Sequence, residues 1–172
     1  MAETGEDEFS VIARLFAPLA TDPAARGLLD DVALLQAQGA LVVTADAIVE
    51  TIHFLPDDPI EAVARKALRV NLSDLAGKGA RPLHYVVTLV WPRTRASADL
   101  AGFAAGLAAD QSEFGVTLLG GDTTTTEGPL AIAITMFGAP GATTPSRNGA
   151  KAAYYWPGMP RIRPRLSPDK AC

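Results

Sequence analysis

The chain is expected to form one α/β or α+β domain with helices stacked on a sheet, and three observations predict it. Apolar residues recur at helical spacing in three separate stretches. Short β-branched runs fall between them. The elements follow one another as helix, strand, helix, strand, helix, strand, strand. At 172 residues with 48% hydrophobic side chains, the chain can bury one substantial core.

The first helix is read over Phe9–Leu19 in "EFSVIARLFAPLA", with Ser10 as its cap, and "TDPAARG" as a turn. "ALVVTADAIVE" is a strand expected to end near Thr44–Asp46. In "DPIEAVARKALRVNLSDLAGKGA" Asp58 is the expected N-cap and Pro59 the first helical residue, with Gly77 and Gly79 near the stop. Val63, Ala67, Val70 and Leu75 form its apolar stripe. "HYVVTLVWP" is a short strand ended by Pro92, and "ASADLAGFAAGLAADQSEFG" an alanine-rich helix capped at Ser97. "VTLLGGD" and "PLAIAITMFGA" are two strands around a loop, "GGDTTTT".

Composition excludes several classes of function. A net charge of −4, a pI of about 5.1 and 6% aromatic residues leave no basic groove or stacking platform for nucleic acid. No apolar run approaches the roughly 18 residues of a membrane helix. The acidic start "MAETGEDEFS" is unlike a secretory or mitochondrial leader, so a soluble, cytoplasmic chain is expected. A lone cysteine, Cys172, excludes an internal disulfide framework and a clustered cysteine metal site.

The aspartates fall at the ends of apolar elements: Asp30 and Asp31 before "VALL", Asp46 in "VVTAD", Asp74 in "NLSD" and Asp122 after "LLGG". Carboxylates gathered at a sheet rim repel one another unless a cation neutralises them. Hard oxygen ligands suit Mg²⁺, which is commonly held together with substrate phosphates. The competing reading is that aspartates populate turns because they bond their own backbone. Asp74 stands apart, since a carboxylate among apolar helical neighbours needs a partner. Neither a P-loop nor a dinucleotide-binding glycine turn is present.

The pieces "EFSVIARLFAPLA", "DDVALL", "VVTADAIVETIHF", "KALRVNLSDLAGKGARP", "LLGGDTTTTEGPLAIAITMFG" and "SRNGAK" together resemble thiamine-monophosphate kinase. That family shares a superfamily with aminoimidazole ribonucleotide synthetase and selenophosphate synthetase. The resemblance runs from Glu8 to Lys151. It implies an N-terminal ATP- and Mg²⁺-binding kinase domain over residues 1–151 of the aminoimidazole ribonucleotide synthetase-like fold, a mixed sheet with helices on one face. It implies ATP-dependent phosphorylation of thiamine monophosphate to thiamine diphosphate, and a homodimer through this domain. Carried over by position, Asp31, Thr44, Asp46, Asp74 and Asp122 would hold Mg²⁺. Gly121, Asp122 and Arg147 would contact ATP, and His53 would touch the substrate; no residue is assigned a catalytic role. Alternatives stand beside several of these: a packed histidine for His53, a solvated loop for Thr125 and Thr126. His84 reads as structural, and Lys78 and Arg81 as solvated.

The chain departs from that family in three places. Leu29 and Thr51 stand where the family favours glycine; at positive φ either would strain its turn. Residues 152–172 lack the family's next strand and loop. Reading "YYWPGMPRI" one nucleotide back permits an aliphatic residue followed by Leu-Leu-Ala, as that strand requires. A frameshift near codon 152 is therefore expected, with a disordered, non-family tail and a chain lacking the second domain. A non-catalytic, dimerising, nucleotide-binding remnant and a kinase for another small phosphate are the rival functions.

Overall fold

A computed structural model describes residues 7–29, 32–37, 39–96 and 98–142. The expected capping residue Ser97, the site residues Asp31 and Arg147, and the tail 152–172 lie outside the described residues. The elements are α1 (Glu8–Val11), β1 (Val42–Val49), α2 (Ile60–Gly77), β2 (Arg81–Pro92), α3 (Ala98–Phe114), β3 (Thr117–Thr126) and β4 (Ala131–Ala139). Their order is the one the hydrophobic periodicities predict.

The N-terminal helix changes character along its length. After α1 come a π-helical turn, Ile12–Phe16, and a 3₁₀ turn, Ala17–Leu19. Its cap is Asp7 rather than Ser10: the Asp7 carboxylate accepts from the Ser10 amide and hydroxyl, both at 2.9 Å. Pro23–Leu28 is a kinked 3₁₀ segment rather than a plain turn, opened by Asp22, whose carboxylate accepts from Ala24 N at 2.8 Å.

Helix α2 buries Val63, Ala64, Ala67, Leu68, Leu72 and Leu75, a stripe at 3.6-residue spacing. Val70 is only partly buried. Pro59 is the N-cap and Asp58 does not cap the helix. Its carboxylate accepts from Leu55 N at 2.9 Å, closing the preceding turn instead. At the other end, Ala80 N donates to Leu75 O at 2.9 Å, with Gly79 at φ 63° permitting the reversal. Helix α3 lies close against α2. A Cβ on Gly106 would come within 2.4 Å of the Glu61 carbonyl, so glycine there sets the helix spacing.

The sheet has the order β1-β4-β2-β3, with β1–β4 and β4–β2 antiparallel and β2–β3 parallel. It is mixed, and the helices cover one face, burying Ile48, Tyr85, Val87, Leu89, Trp91, Ile132, Ile134 and Met136. Tyr85 donates to Gln111 Oε1 at 2.7 Å, and Gln111 Nε2 donates to Leu19 O at 3.1 Å, so one polar chain ties sheet, α3 and the N-terminal segment. Burial pushes the Tyr85 phenol far up. Asp110, fully buried on α3, accepts from Arg65 and Arg69 of α2 at 2.8–2.9 Å. Among the described residues, no helix is long and apolar enough to cross a membrane.

Two strand boundaries differ from expectation. β1 does not end at Thr44–Asp46 but continues to Val49, so both residues sit within the strand. Gly120–Thr126 is not a loop either: it is the second part of β3, paired with Val86–Pro92 of β2. A parallel neighbour on one side satisfies its backbone, which "GGDTTTT" does not advertise by composition. β3 and β4 flank β2 on opposite sides, so no hairpin joins them.

Candidate functional site

The site grows from the middle of β1 and the last turn of α2. Thr44, on β1, donates its hydroxyl to Asp74 Oδ2 at 2.9 Å. Asp46 lies two residues on, hence on the same face of β1. Asp74 is exposed rather than buried, and it has the partner a carboxylate among apolar neighbours requires. It stands at the C-terminal end of α2, where the helix dipole is negative and no basic residue occupies the last turn. An acidic side chain is disfavoured there by the helix itself, so a cation is the natural complement. The pair offers hard oxygen donors of the kind Mg²⁺ takes, and Mg²⁺ completes its shell with water and phosphate oxygens. The fit is that of an anchor with few protein ligands. Among the described residues, no three acidic, histidine or cysteine side chains come close enough to hold a metal by themselves.

Asp122 is not brought to this pair. Register places Asp46, Ile134, Val87 and Gly121 in one row across the sheet, and Ala47, Ala133, Thr88 and Asp122 in the next. Asp46 and Asp122 therefore occupy opposite edges, about 14 Å apart at about 4.8 Å per strand, and opposite faces. One continuous acidic rim within the protomer is replaced by two separate places. The reason is topological: β4 and β2 fill the centre and leave β1 and β3 at the edges. Gly121 has a packing role visible in the backbone. A Cβ there would fall 1.8 Å from the Val87 carbonyl oxygen, whereas one on Gly120 would meet only Val86 Cγ1 at 3.9 Å.

His53 lies in the turn that leaves β1. Val49 N donates to its Nδ1 at 3.0 Å, Val49 O accepts from His53 N at 2.8 Å, and Lys66 Nζ of α2 donates to its carbonyl. The imidazole is exposed rather than packed, and so are its neighbours Ile52 and Leu55. Thr51 takes φ 68°, the conformation that makes glycine the favoured residue there. Leu29 does not share that problem. Its φ is −92°, and the positive dihedrals fall on Arg26, Gly27 and Leu28 instead.

Three contributors were not anticipated from the chain alone. Glu50 accepts from Arg95 Nη2 at 2.6 Å and from Leu130 N at 3.1 Å, holding the base of the His53 turn. Lys66 also lines, with Ala62, Arg69, Val70 and Ser73, an open groove of about 460 Å³ along α2. The groove starts beside the His53 turn and ends at the residue before Asp74. Asp110 raises the already high pKa of Arg69, keeping a fixed positive charge on its wall. The sequence signals the α2 residues only as a cluster of cations in "ARKALR", and it does not single out Glu50.

Residues 29–139 match the family model for the N-terminal domain of AIR synthase related protein, more than half of the chain. The chain belongs to the AIR synthase related protein family. This AIR synthase related domain is 49% identical over 148 residues to the thiamine-monophosphate kinase of Caulobacter vibrioides, covering 84% of this chain and 42% of that one. The solved thiamine-monophosphate kinase of Stenotrophomonas maltophilia K279a superposes with a TM-score of 0.59 at 38% identity, covering 64% of this chain and 35% of that chain. AaThiL complexed with AMPPCP and TMP superposes at 0.55 with 26% identity, over 57% of this chain and 31% of that chain. The domain thus spans less than half the length of the curated relatives it matches.

Proposed function

We propose that this domain holds Mg²⁺–ATP for phosphoryl transfer to thiamine monophosphate, giving thiamine diphosphate. The observation that carries the reading is the Thr44–Asp74 pair: an exposed carboxylate at the negative end of a helix, bridged to a strand hydroxyl. The kinases it resembles, one of them complexed with AMPPCP and TMP, supply the substrates of the reading. Phosphoryl transfer asks a protein for alignment and charge neutralisation more than for covalent chemistry. When bound, Mg²⁺ neutralises phosphate charge and aligns the transferred group. Thr44, Asp46 and Asp74 offer oxygens for it, joined in the resemblance by Asp31 and Asp122, while Gly121, Asp122 and Arg147 are assigned to the nucleotide.

Asp122 lies on the open face of the sheet with Thr88 and Thr124, the face whose far edge carries the exposed apolar residues Val43, Ala45 and Ala47. A homodimer through this face would cover that apolar surface and bring a second copy next to Asp122. Sedimentation velocity reads this as a particle of twice the 18.0 kDa chain mass, and a particle of single mass excludes it.

Calorimetry with Mg²⁺–ATP on the chain and on Asp74→Ala, followed by an ADP-release assay with thiamine monophosphate, tests the kinase reading. Binding that depends on Asp74, with ADP release that depends on thiamine monophosphate, is the expected result. Binding without turnover selects a second reading, a nucleotide-binding domain that is not catalytic by itself. A strand order that keeps Asp122 and the Thr44–Asp74 pair at opposite edges of the sheet favours that alternative. Absence of nucleotide binding in a folded chain rejects both.

A further inference from the structure

We propose that Arg95 is a positioning residue: its guanidinium clamps residues 51–58, the turn that leaves β1, in one conformation before a ligand arrives. Arg95 acts through the backbone of that turn and not by touching the ligand. The inference rests on the reading above for the identity of the substrate, while the clamp itself can be measured without one.

The clamp is anchored at its own end. Arg95 N donates to Pro92 O at 3.1 Å, and Arg93 N donates to Thr126 O of β3 at 2.9 Å, so the segment just past β2 is pinned. From there Nη2 donates to Glu50 Oε1 at 2.6 Å and reaches Pro56 O at 3.5 Å, while Nη1 donates to Asp99 Oδ2 on α3 at 3.3 Å. One planar group thus meets both ends of the turn and a neighbouring helix. Glu50 Oε2 accepts from Leu130 N at 3.1 Å, which ties the same carboxylate to the start of β4. Only 15% of the Arg95 side chain and 12% of the Glu50 side chain is exposed. An ion pair this desolvated stabilises a fold little better than apolar side chains of similar size would. What a guanidinium fork adds is a fixed geometry.

The geometry held here is one the chain would not choose by itself. Thr51 takes φ 68°, and a left-handed residue other than glycine persists only where its surroundings over-determine it. Phe54 anchors the turn in the core, and Thr51 N donates to Phe54 O at 2.7 Å. Ile52, His53 and Leu55 stand in solvent instead. Exposed side chains on a firmly held, strained backbone are arranged for contact with a molecule that comes from solution, since their ordering is complete before binding. The Thr44–Asp74 pair stands on other elements, the middle of β1 and the last turn of α2. Loosening the turn therefore separates substrate binding from metal–nucleotide binding.

Amide hydrogen exchange measures the clamp without a ligand. In Arg95→Met the amides of Thr51, His53 and Leu55 are expected to exchange at least about tenfold faster, with those of Leu68 and Leu72 in α2 unchanged. Arg95→Lys, which keeps the charge but loses the fork, is expected to recover part of the protection. Glu50→Gln, which can accept from only one of its two partners, is expected to fall between, and it carries the test if Arg95→Met does not fold. Unchanged exchange in the turn, or acceleration shared equally with α2, overturns the clamp. Calorimetry then reads the positioning: Arg95→Met is expected to weaken thiamine monophosphate about tenfold and to leave Mg²⁺–ATP within about twofold. Equal weakening of both ligands, or unchanged thiamine monophosphate affinity beside a loosened turn, refutes a positioning role. Failure of the unmodified chain to bind thiamine monophosphate counts against the proposed function instead, and the exchange rates then decide whether Arg95 holds the turn.

Discussion

The Thr44 hydroxyl donates to Asp74 Oδ2 at 2.9 Å, joining two residues 30 apart in sequence at the meeting of β1 and the end of α2. The carboxylate opposes the helix dipole, and that opposition makes stability and ligand binding respond in opposite directions. In metal-free buffer Asp74→Asn is expected to raise stability by about 0.3–1 kcal/mol, because it removes a charge the helix end disfavours. The same substitution is expected to weaken Mg²⁺–ATP at least about tenfold in calorimetry. Thr44→Val loses less, and the double variant loses less than the sum, since the two groups share one interaction. A stability loss in metal-free Asp74→Asn would show the carboxylate to be structural.

Gly121 and Gly120 separate packing from ligand approach. Gly121→Ala places a Cβ against the Val87 carbonyl and is expected to cost about 3 kcal/mol in urea denaturation. Gly120→Ala, with only a methyl at ordinary distance, is expected to stay within about 1 kcal/mol of the unmodified chain. Nucleotide binding lost in Gly121→Ala is therefore informative only once folding has been measured.

Thr51→Gly relieves the left-handed backbone at φ 68°. Relief of about 1–2 kcal/mol is partly offset by the greater freedom glycine gives the unfolded chain. A net gain of about 0.5–1 kcal/mol is expected, seen as a higher denaturation midpoint. A net loss would mean that the Thr51 side chain contributes more than its backbone costs.

The order of elements is legible in the chain because each helix carries a 3.6-residue apolar stripe and each strand a β-branched run. Caps and ends are less so. Asp58 looks like an N-cap but closes the turn at Leu55, and Ser10 yields to Asp7, since several polar residues near a helix start compete for the same amides. The long reach of β3 through four threonines depends on β2 lying beside it, a non-local pairing that no window of sequence contains. For the same reason the aspartates look alike in sequence, yet strand order sends Asp46 and Asp122 to opposite edges. The His53 turn depends on Lys66 and Arg95, which reach it from α2 and from just beyond β2.

The buried Asp110 carboxylate holds α3 to α2 through Arg65 and Arg69, with Glu113 joining at the edge. Removing a buried partner commonly costs about 3–5 kcal/mol. Here both arginine side chains are more than one-third exposed and can be rehydrated, so Asp110→Ala is expected to cost about 2 kcal/mol. Glu113→Ala, on the exposed side, is expected to cost less than about 1 kcal/mol. Equal losses in the two variants would contradict the burial difference.

His84 supplies a pH dependence away from the site. Partial burial lowers its pKa below the ordinary 6.5; nearby Arg81 adds to the lowering and Asp22 opposes it. Its Nδ1 lies 2.8 Å from Thr117 Oγ1. The unfolded chain then binds a proton at a higher pH than the native one does. Stability associated with His84 is complete above about pH 6.5 and declines as pH falls through that value towards the lower native pKa. Urea midpoints of the chain and of His84→Gln, each at pH 8 and pH 5.5, isolate the effect as a double difference that cancels the other titrating groups. The unmodified chain is expected to lose more stability on acidification than His84→Gln. An equal or smaller loss would show that burial does not penalise the charged ring.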